Sequence, residues 1–229
     1  MDIQLKNAHL TRQLDLIPIE VLGENITIIG AGAIGSFAAL SLAKMGFGCI
    51  KVIDFDTIEV ENMNSQFYRH SDIGKLKVVA LQELIKDFTG VQIDISTERY
   101  VSGIFNGIVI SAVDSMDARR LIWEQHSGKS PGTRAIIDPR MGAETALMYV
   151  MNPMDEKDIK SYQASLYSNA EAVAERCTAK STMYTTTMLA GLVAKATKDL
   201  TTGAPYPRTT LWSIIHDDFK SFRSNNELN

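Results

Sequence analysis

A doubly wound α/β fold built on a mostly parallel sheet is predicted by three features of this 229-residue chain. The first is a β-branched run, Ile26-Thr27-Ile28-Ile29, followed at once by Gly30-Ala31-Gly32-Ala33-Ile34-Gly35 and an Ala/Leu-rich stretch to Met45. The second is a new apolar strand from Cys49 to Ile53 that ends on Asp54. The third is the continuous apolar run from Gly107 to Val113, the kind buried on both faces of parallel sheets. Strand, glycine turn, helix and strand make a Rossmann-like unit. Its helix N-terminus suits a phosphate, and the acid closing its second strand suits a ribose hydroxyl. The commonest owner of this pattern is a dinucleotide-dependent dehydrogenase, so the remaining elements must decide which nucleotide enzyme this is.

In chain order, Leu10, Leu14, Ile17 and Val21 are spaced by threes and fours, predicting a short amphipathic helix over about 5–22, interrupted near Pro18. Arg12-Gln13 falls on its polar side, which by spacing alone reads as a solvated face. After Asp54 the chain spends a polar segment, Phe55-Asp56-Thr57 to Asn62-Met63-Asn64-Ser65-Gln66, where a dehydrogenase would move quickly into another helix. Carboxylates and amides beside a nucleotide site suit Mg²⁺ and phosphate handling. A helix then runs from Gly74-Lys75-Leu76-Lys77 to about Phe88, with Ser71-Asp72 as capping candidates. A lysine in a first helical turn is unfavourable without an anion nearby, so Lys75 or Lys77 reads either as a phosphate ligand or as a plain surface lysine.

Val91–Ile95 alternates as a strand, and the Gly107–Val113 strand ends at Asp114, followed by a helix to about Gln125. Ligands of doubly wound sheets sit beyond the carboxyl ends of the strands, which puts Asp54 and Asp114 on one rim. Arg134–Asp138 is the next strand. Pro139-Arg140-Met141-Gly142 turns the chain before a further strand over Thr145–Val150. Helices follow over about Asp155–Ser168 and Thr187–Leu200, and the tail from Arg208 to Phe219 adds an edge strand. Trp123 and Trp212 read as core residues.

Hydrophobic residues at 45% supply a core, and no repeat, low-complexity segment or proline-rich linker marks a boundary. A net charge of −4 argues against a nucleic-acid partner. The first ten residues lack the apolar core of a signal peptide and no stretch approaches membrane-spanning length, so a cytoplasmic, membrane-free protein is expected. Only Cys49 and Cys177 are present, which rules out a C-x-x-C pair and a four-cysteine zinc site.

Seven ordered pieces together resemble the adenylating superfamily of ThiF, MoeB and the ubiquitin-activating enzymes, over nearly the whole chain from Arg12 to Leu200. They are Arg12-Gln13, Gly30-Ala31-Gly32-Ala33-Ile34-Gly35, Val52-Ile53-Asp54-Phe55-Asp56, Asn62-Met63-Asn64-x-Gln66, Gly74-x-x-Lys77, Val113-Asp114-x-x-x-x-Arg119 and Arg140-Met141-Gly142-x-Glu144. The resemblance implies one adenylation domain over 1–229: the N-terminal helix, a nucleotide-binding core of about 24–140, and a carrier-binding sheet with a crossover loop over about 141–229. It implies a homodimer that binds Mg·ATP and adenylates the C-terminal carboxylate of a small ubiquitin-like or sulfur-carrier protein ending in glycine.

In the terms of that family, Gly30, Gly32 and Gly35 form the nucleotide turn, Asp54 holds the ribose, and Asn62 and Lys77 hold phosphates. Asp56 and Gln66 belong to the same site, Asp114 holds the magnesium, and Arg12 reaches the neighbouring subunit's ATP. No structural zinc is expected. The setting of Cys177 resembles the crossover segment where compact relatives form a thioester. Arg176 and Lys180 beside it favour the thiolate, while a buried structural thiol is the plain alternative. One departure stands out: where the family motif has an arginine after Asn-x-x, this chain has Ser65. Either Arg69 substitutes for it, or the chain is a weakened enzyme or an inactive one that keeps nucleotide or carrier binding.

Overall fold

The computed structural model describes residues 10–167, 181–214 and 216–222. Eight strands form one sheet: β1 (Ile26–Ile29), β2 (Ile50–Ile53), β3 (Asp94–Ser96), β4 (Gly107–Ser111), β5 (Thr133–Gly142), β6 (Thr145–Met151), β7 (Thr209–Ser213) and β8 (Asp218–Phe222). Their order is β3-β2-β1-β4-β5-β6-β7-β8. The first five pair in parallel, and β6, β7 and β8 add antiparallel strands. Among the described residues, the five longer helices are α1 (Ala33–Lys44), α2 (Lys77–Thr89), α3 (Met116–His126), α4 (Glu156–Ala164) and α5 (Met183–Thr202). The architecture is the doubly wound, mostly parallel sheet with added C-terminal strands that the sequence predicts.

Why the strands read as unbroken apolar runs follows from what covers them. Ile28, Val52, Ile108, Ile110 and Ile137 point to one face, into a core shared with Leu42 of α1, Leu81 of α2 and Val193 of α5. Ile29, Ile53, Val109 and Ile136 point to the other, against Ile122 and Trp123 of α3 and Tyr162 of α4. Side chains alternate along a strand, so a sheet covered on both faces needs an apolar residue at nearly every position.

Several elements differ from expectation. The described part of the N-terminal segment is not a continuous α-helix: Leu10 to Ile17 forms hydrogen-bonded turns and Ile19–Val21 a single 3-10 turn. Pro18 ends the helical pattern as its missing N–H requires. Asp72 does not cap α2. Its carboxylate instead accepts the Arg69 N–H within the 3-10 turn His70–Asp72, and Leu76 occupies the cap without a side-chain bond. Strand β5 is twice the expected length and runs through Pro139 to Gly142. Pairing with β4 stops at Ile137, so from Pro139 onward β5 has a single neighbour, β6, and the proline is tolerated there. The tail contributes two strands rather than one, with Trp212 and Phe219 packed edge to face across β7 and β8. Among the described residues, no helix is long and apolar enough to cross a membrane.

His126 ends α3 fully buried, with Nδ1 2.8 Å from the Ile122 carbonyl and Nε2 accepting the Phe105 N–H at 3.3 Å. Accepting at Nε2 requires a neutral ring protonated on Nδ1. Burial lowers its pKa below the ordinary imidazole value, although the Ile122 carbonyl favours the charged form. An unfolded chain takes up this proton near about pH 6.5 while the folded chain resists it, so folding stability is full above that pH and falls below it. The urea midpoint is therefore expected to fall between about pH 7.5 and about pH 5.5, and less steeply in His126→Asn, whose side chain does not titrate.

Candidate active site

A cleft of about 710 Å³ opens beyond the carboxyl ends of the parallel strands. Its floor is the glycine turn between β1 and α1. Gly30 sits at φ 101°, and a Cβ there would lie 2.3 Å from the Ala112 carbonyl oxygen at the end of β4. At Gly35 a Cβ would meet the Gly30 carbonyl oxygen at 1.9 Å, so this glycine serves the packing of α1 on the turn, and it does not line the cleft. Gly32 is different. It lines the cleft, and a Cβ there would meet no protein atom within 4 Å. Protein packing does not demand glycine at that position, whereas a ligand lying against the backbone does. Gly32 is also the cap of α1 and offers no side chain to the first helical N–H groups, which leaves them for an anion.

Asp54 fixes the turn from the side. One carboxylate oxygen accepts the Ala31 N–H at 2.6 Å and the other the Asp56 N–H at 2.8 Å, so a single buried acid ties the glycine turn to the loop after β2. Tyr68 braces the same turn by donating to the Ala31 carbonyl at 2.6 Å. Burial raises the pKa of this phenol, and the charges of Asp54, Asp56 and Asp72 raise it further, so it remains a donor. Lys77, the first residue of α2, is nearly buried, with its Nζ 3.1 Å from the Asp56 carboxylate. Gln66 Oε1 is buried in the lining with no hydrogen-bond partner, an acceptor left open to whatever fills the space. Asp114 is exposed on the same rim at the end of β4.

Of the residues singled out by sequence, Gly30, Gly32, Asp54, Asp56, Gln66, Lys77 and Asp114 therefore share one cleft. Three others do not join them. Asn62 spends its side-chain oxygen on the Glu59 N–H at 2.9 Å, capping the 3-10 helix Val60–Asn64, and Gly35 packs as described. Arg12 is exposed and lies outside the lining, and Cys177 lies outside the described residues. Ser65 is buried in the cleft wall where the motif carries an arginine. Arg69 does not replace that cation, because its guanidinium pairs with Asp87 at 2.9 Å away from the cleft. The other cysteine, Cys49, precedes β2 and so lies at the opposite end of the sheet from the cleft.

Two features went unread in the sequence. Arg119 and Arg140 both grip the fully buried Asp138, at 2.9 and 2.8 Å, and Tyr162 donates to the same carboxylate at 2.7 Å. Burial works against the charged Arg140, but Asp138 and Tyr162 hold its pKa up. The second is Arg99, three residues past β3, whose guanidinium lies 3.7 Å over the ring of Phe55 in the cleft. The only sequence signal for Arg99 was its place just beyond a strand's carboxyl end.

An α/β domain with a glycine turn, a clamping acid and a lysine at this rim has the layout of doubly wound folds, which seat their ligands beyond the strands' carboxyl ends. The ThiF family model matches residues 20–228, and the chain belongs to the ThiF family. It is 32% identical over 117 residues to ubiquitin-like modifier-activating enzyme 5 of Dictyostelium discoideum, covering 43% of this chain and 31% of that protein. It is 40% identical over 107 residues to the NEDD8-activating enzyme E1 catalytic subunit of Caenorhabditis elegans, covering 42% and 24%. The chain thus spans less than a third of these relatives' length. Among solved structures, MccB of E. coli, crystallised with AMPCPP and MccA, superposes with a TM-score of 0.74 at 14% identity, over 93% of this chain and 67% of that one. PaaA gives a TM-score of 0.76 at 17% identity, over 98% and 74%.

The two glycines separate experimentally. Gly35→Ala is expected to cost about 3 kcal/mol of folding stability through overpacking. Gly32→Ala should cost no more than about 1 kcal/mol, the price of a poorer cap, yet weaken ATP binding. Denaturant unfolding and calorimetry with ATP read the two effects.

Proposed function

We propose that this domain binds Mg·ATP and adenylates the C-terminal carboxylate of a ubiquitin-like or sulfur-carrier protein, releasing pyrophosphate. The observation that carries this reading is the open backbone at Gly32, facing a cleft that also holds Lys77 and Asp114. In the proposed step a carboxylate oxygen of the carrier attacks the α-phosphorus and the bond to the bridging oxygen of pyrophosphate breaks. Negative charge builds on phosphate oxygens, and fixed donors stabilise it without reorganising. Lys77, preset by Asp56, and the free N–H groups of α1 are such donors. Asp54 has lone pairs left for a ribose hydroxyl, and the unpartnered Gln66 Oε1 suits a hydroxyl or a metal-bound water.

Asp114, with phosphate oxygens, would hold the magnesium, which would supply charge neutralisation on the triphosphate. Among the described residues no group of three or more metal-ligating side chains exists. Magnesium is usually held by one or two carboxylates plus substrate phosphates. Similarity to enzymes named for activating ubiquitin-like modifiers, and to a structure crystallised with an ATP analogue and MccA, supports both substrates. We treat 1–229 as a single functional unit, with the carrier gripped beyond Arg140. On sequence alone we place a following step on Cys177, in which its thiolate attacks the acyl-adenylate carbonyl and AMP departs. A homodimer in which Arg12 serves the second subunit's site completes the scheme.

Ser65 favours a weakened enzyme, because an arginine on a transferring phosphoryl group is worth roughly 10³-fold or more. ATP/pyrophosphate exchange with a glycine-terminated carrier protein is expected to be detectable but slow. It should rise in Ser65→Arg and fall about 10²-fold in Asp114→Asn, as for loss of one preorganised charge contact. Calorimetry showing NAD bound and ATP ignored would overturn the reading. ATP binding without exchange, restored by Ser65→Arg, would make the natural chain a nucleotide-binding pseudo-enzyme.

A further inference from the structure

We propose that Arg99, backed by Phe55, is the platform on which the nucleobase stacks and that it sets preference for a purine. This assignment rests on the nucleotide reading above. The phosphate-binding elements lie at β1 and the start of α1, and Asp54 closes β2. A nucleotide laid from the glycine turn across Asp54 therefore reaches the carboxyl end of the next strand outward, β3, with its base. Phe55 and Arg99 occupy that end of the cleft.

Their state in the structure fits the role. Phe55 is 40% exposed, a large apolar ring left open in the cleft. Arg99 is exposed too, and its guanidinium lies over that ring at 3.7 Å. The cleft's other cations are already paired with carboxylates, Lys77 with Asp56 and both Arg119 and Arg140 with Asp138. A guanidinium over an aromatic face is a planar, delocalised surface with N–H donors at its edge. A purine offers a broad π-face to that surface and ring nitrogens as acceptors to that edge, whereas a pyrimidine offers about half the area. Lysine, a compact and strongly hydrated charge, provides no such plane.

Calorimetry on the full chain with ATP, CTP and inorganic tripolyphosphate tests this, using Arg99→Lys and Arg99→Ala. Both variants are expected to bind ATP about tenfold more weakly, lose most of their preference for ATP over CTP, and bind tripolyphosphate as the unaltered chain does. Because Arg99 is exposed, both should fold normally, which circular dichroism checks. If Arg99→Lys keeps full ATP affinity, or if tripolyphosphate binding falls together with ATP binding, Arg99 is a phosphate ligand and the base assignment is overturned. If both variants bind ATP unchanged, the assignment fails while the nucleotide reading stands. An unaltered chain that binds no ATP overturns both.

Discussion

The two hydrogen bonds accepted by Asp54 are the constraint on which the cleft depends. A glycine turn is the least self-supporting part of a fold, because glycine has the most backbone freedom to lose. Here the freedom is removed from outside, by a carboxylate that takes one N–H from the turn and one from the loop after β2. Bonds from backbone amides to an ionised acid in a buried setting are among the stronger ones available. The same acid that suits a ribose is thus already holding the surface on which a phosphate would rest. Cleft shape and ligand contact are linked through one side chain.

A second constraint lies deeper. Two guanidinium groups share the single carboxylate of Asp138, and Tyr162 remains neutral there because burial and the Asp138 charge raise its pKa. The cluster therefore carries one surplus positive charge in the cleft wall. Removing one partner of such a buried group typically costs about 3–5 kcal/mol, since the remaining charges lose their compensation. Arg140 also donates to the Ser165 carbonyl and lies over Tyr149, so the network pins the end of α4 to β5. It sets the floor from which residues past Arg140 approach the proposed carrier.

What could be read in the sequence was whatever local physics dictates. Ile26–Ile29, the glycines and Asp54 occupy positions where strand burial, a positive φ, a close approach or a turn-clamping acid each leaves few options. Residue roles that arise only from the order of strands were hidden. Arg99 is unremarkable in the chain until β3 takes its place beside β2. Arg119 reaches Asp138, which already pairs with Arg140 on its own strand, only because β4 and β5 are neighbours. Asn62 shows a demand that is local instead: its carboxamide oxygen accepts the Glu59 N–H at the start of the 3-10 helix Val60–Asn64. Pro139 read as a turn because its tolerance inside β5 depends on where a different strand stops.

Charge at the cleft explains why Ser65 matters under the proposed chemistry. Lys77, Arg99, Arg119 and Arg140 face it, and Asp54, Asp56, Asp114 and the buried Asp138 offset them one for one. A cleft that is neutral in sum attracts a triphosphate through local geometry rather than through net potential. An arginine at position 65 would tip that sum positive, and serine leaves it balanced. Under the proposed chemistry, positive charge beyond that of Lys77 would enter with the substrate, as magnesium, or from a second subunit, as Arg12. On this reading the serine at position 65 makes the domain more dependent on a cation brought by the substrate or by a second subunit.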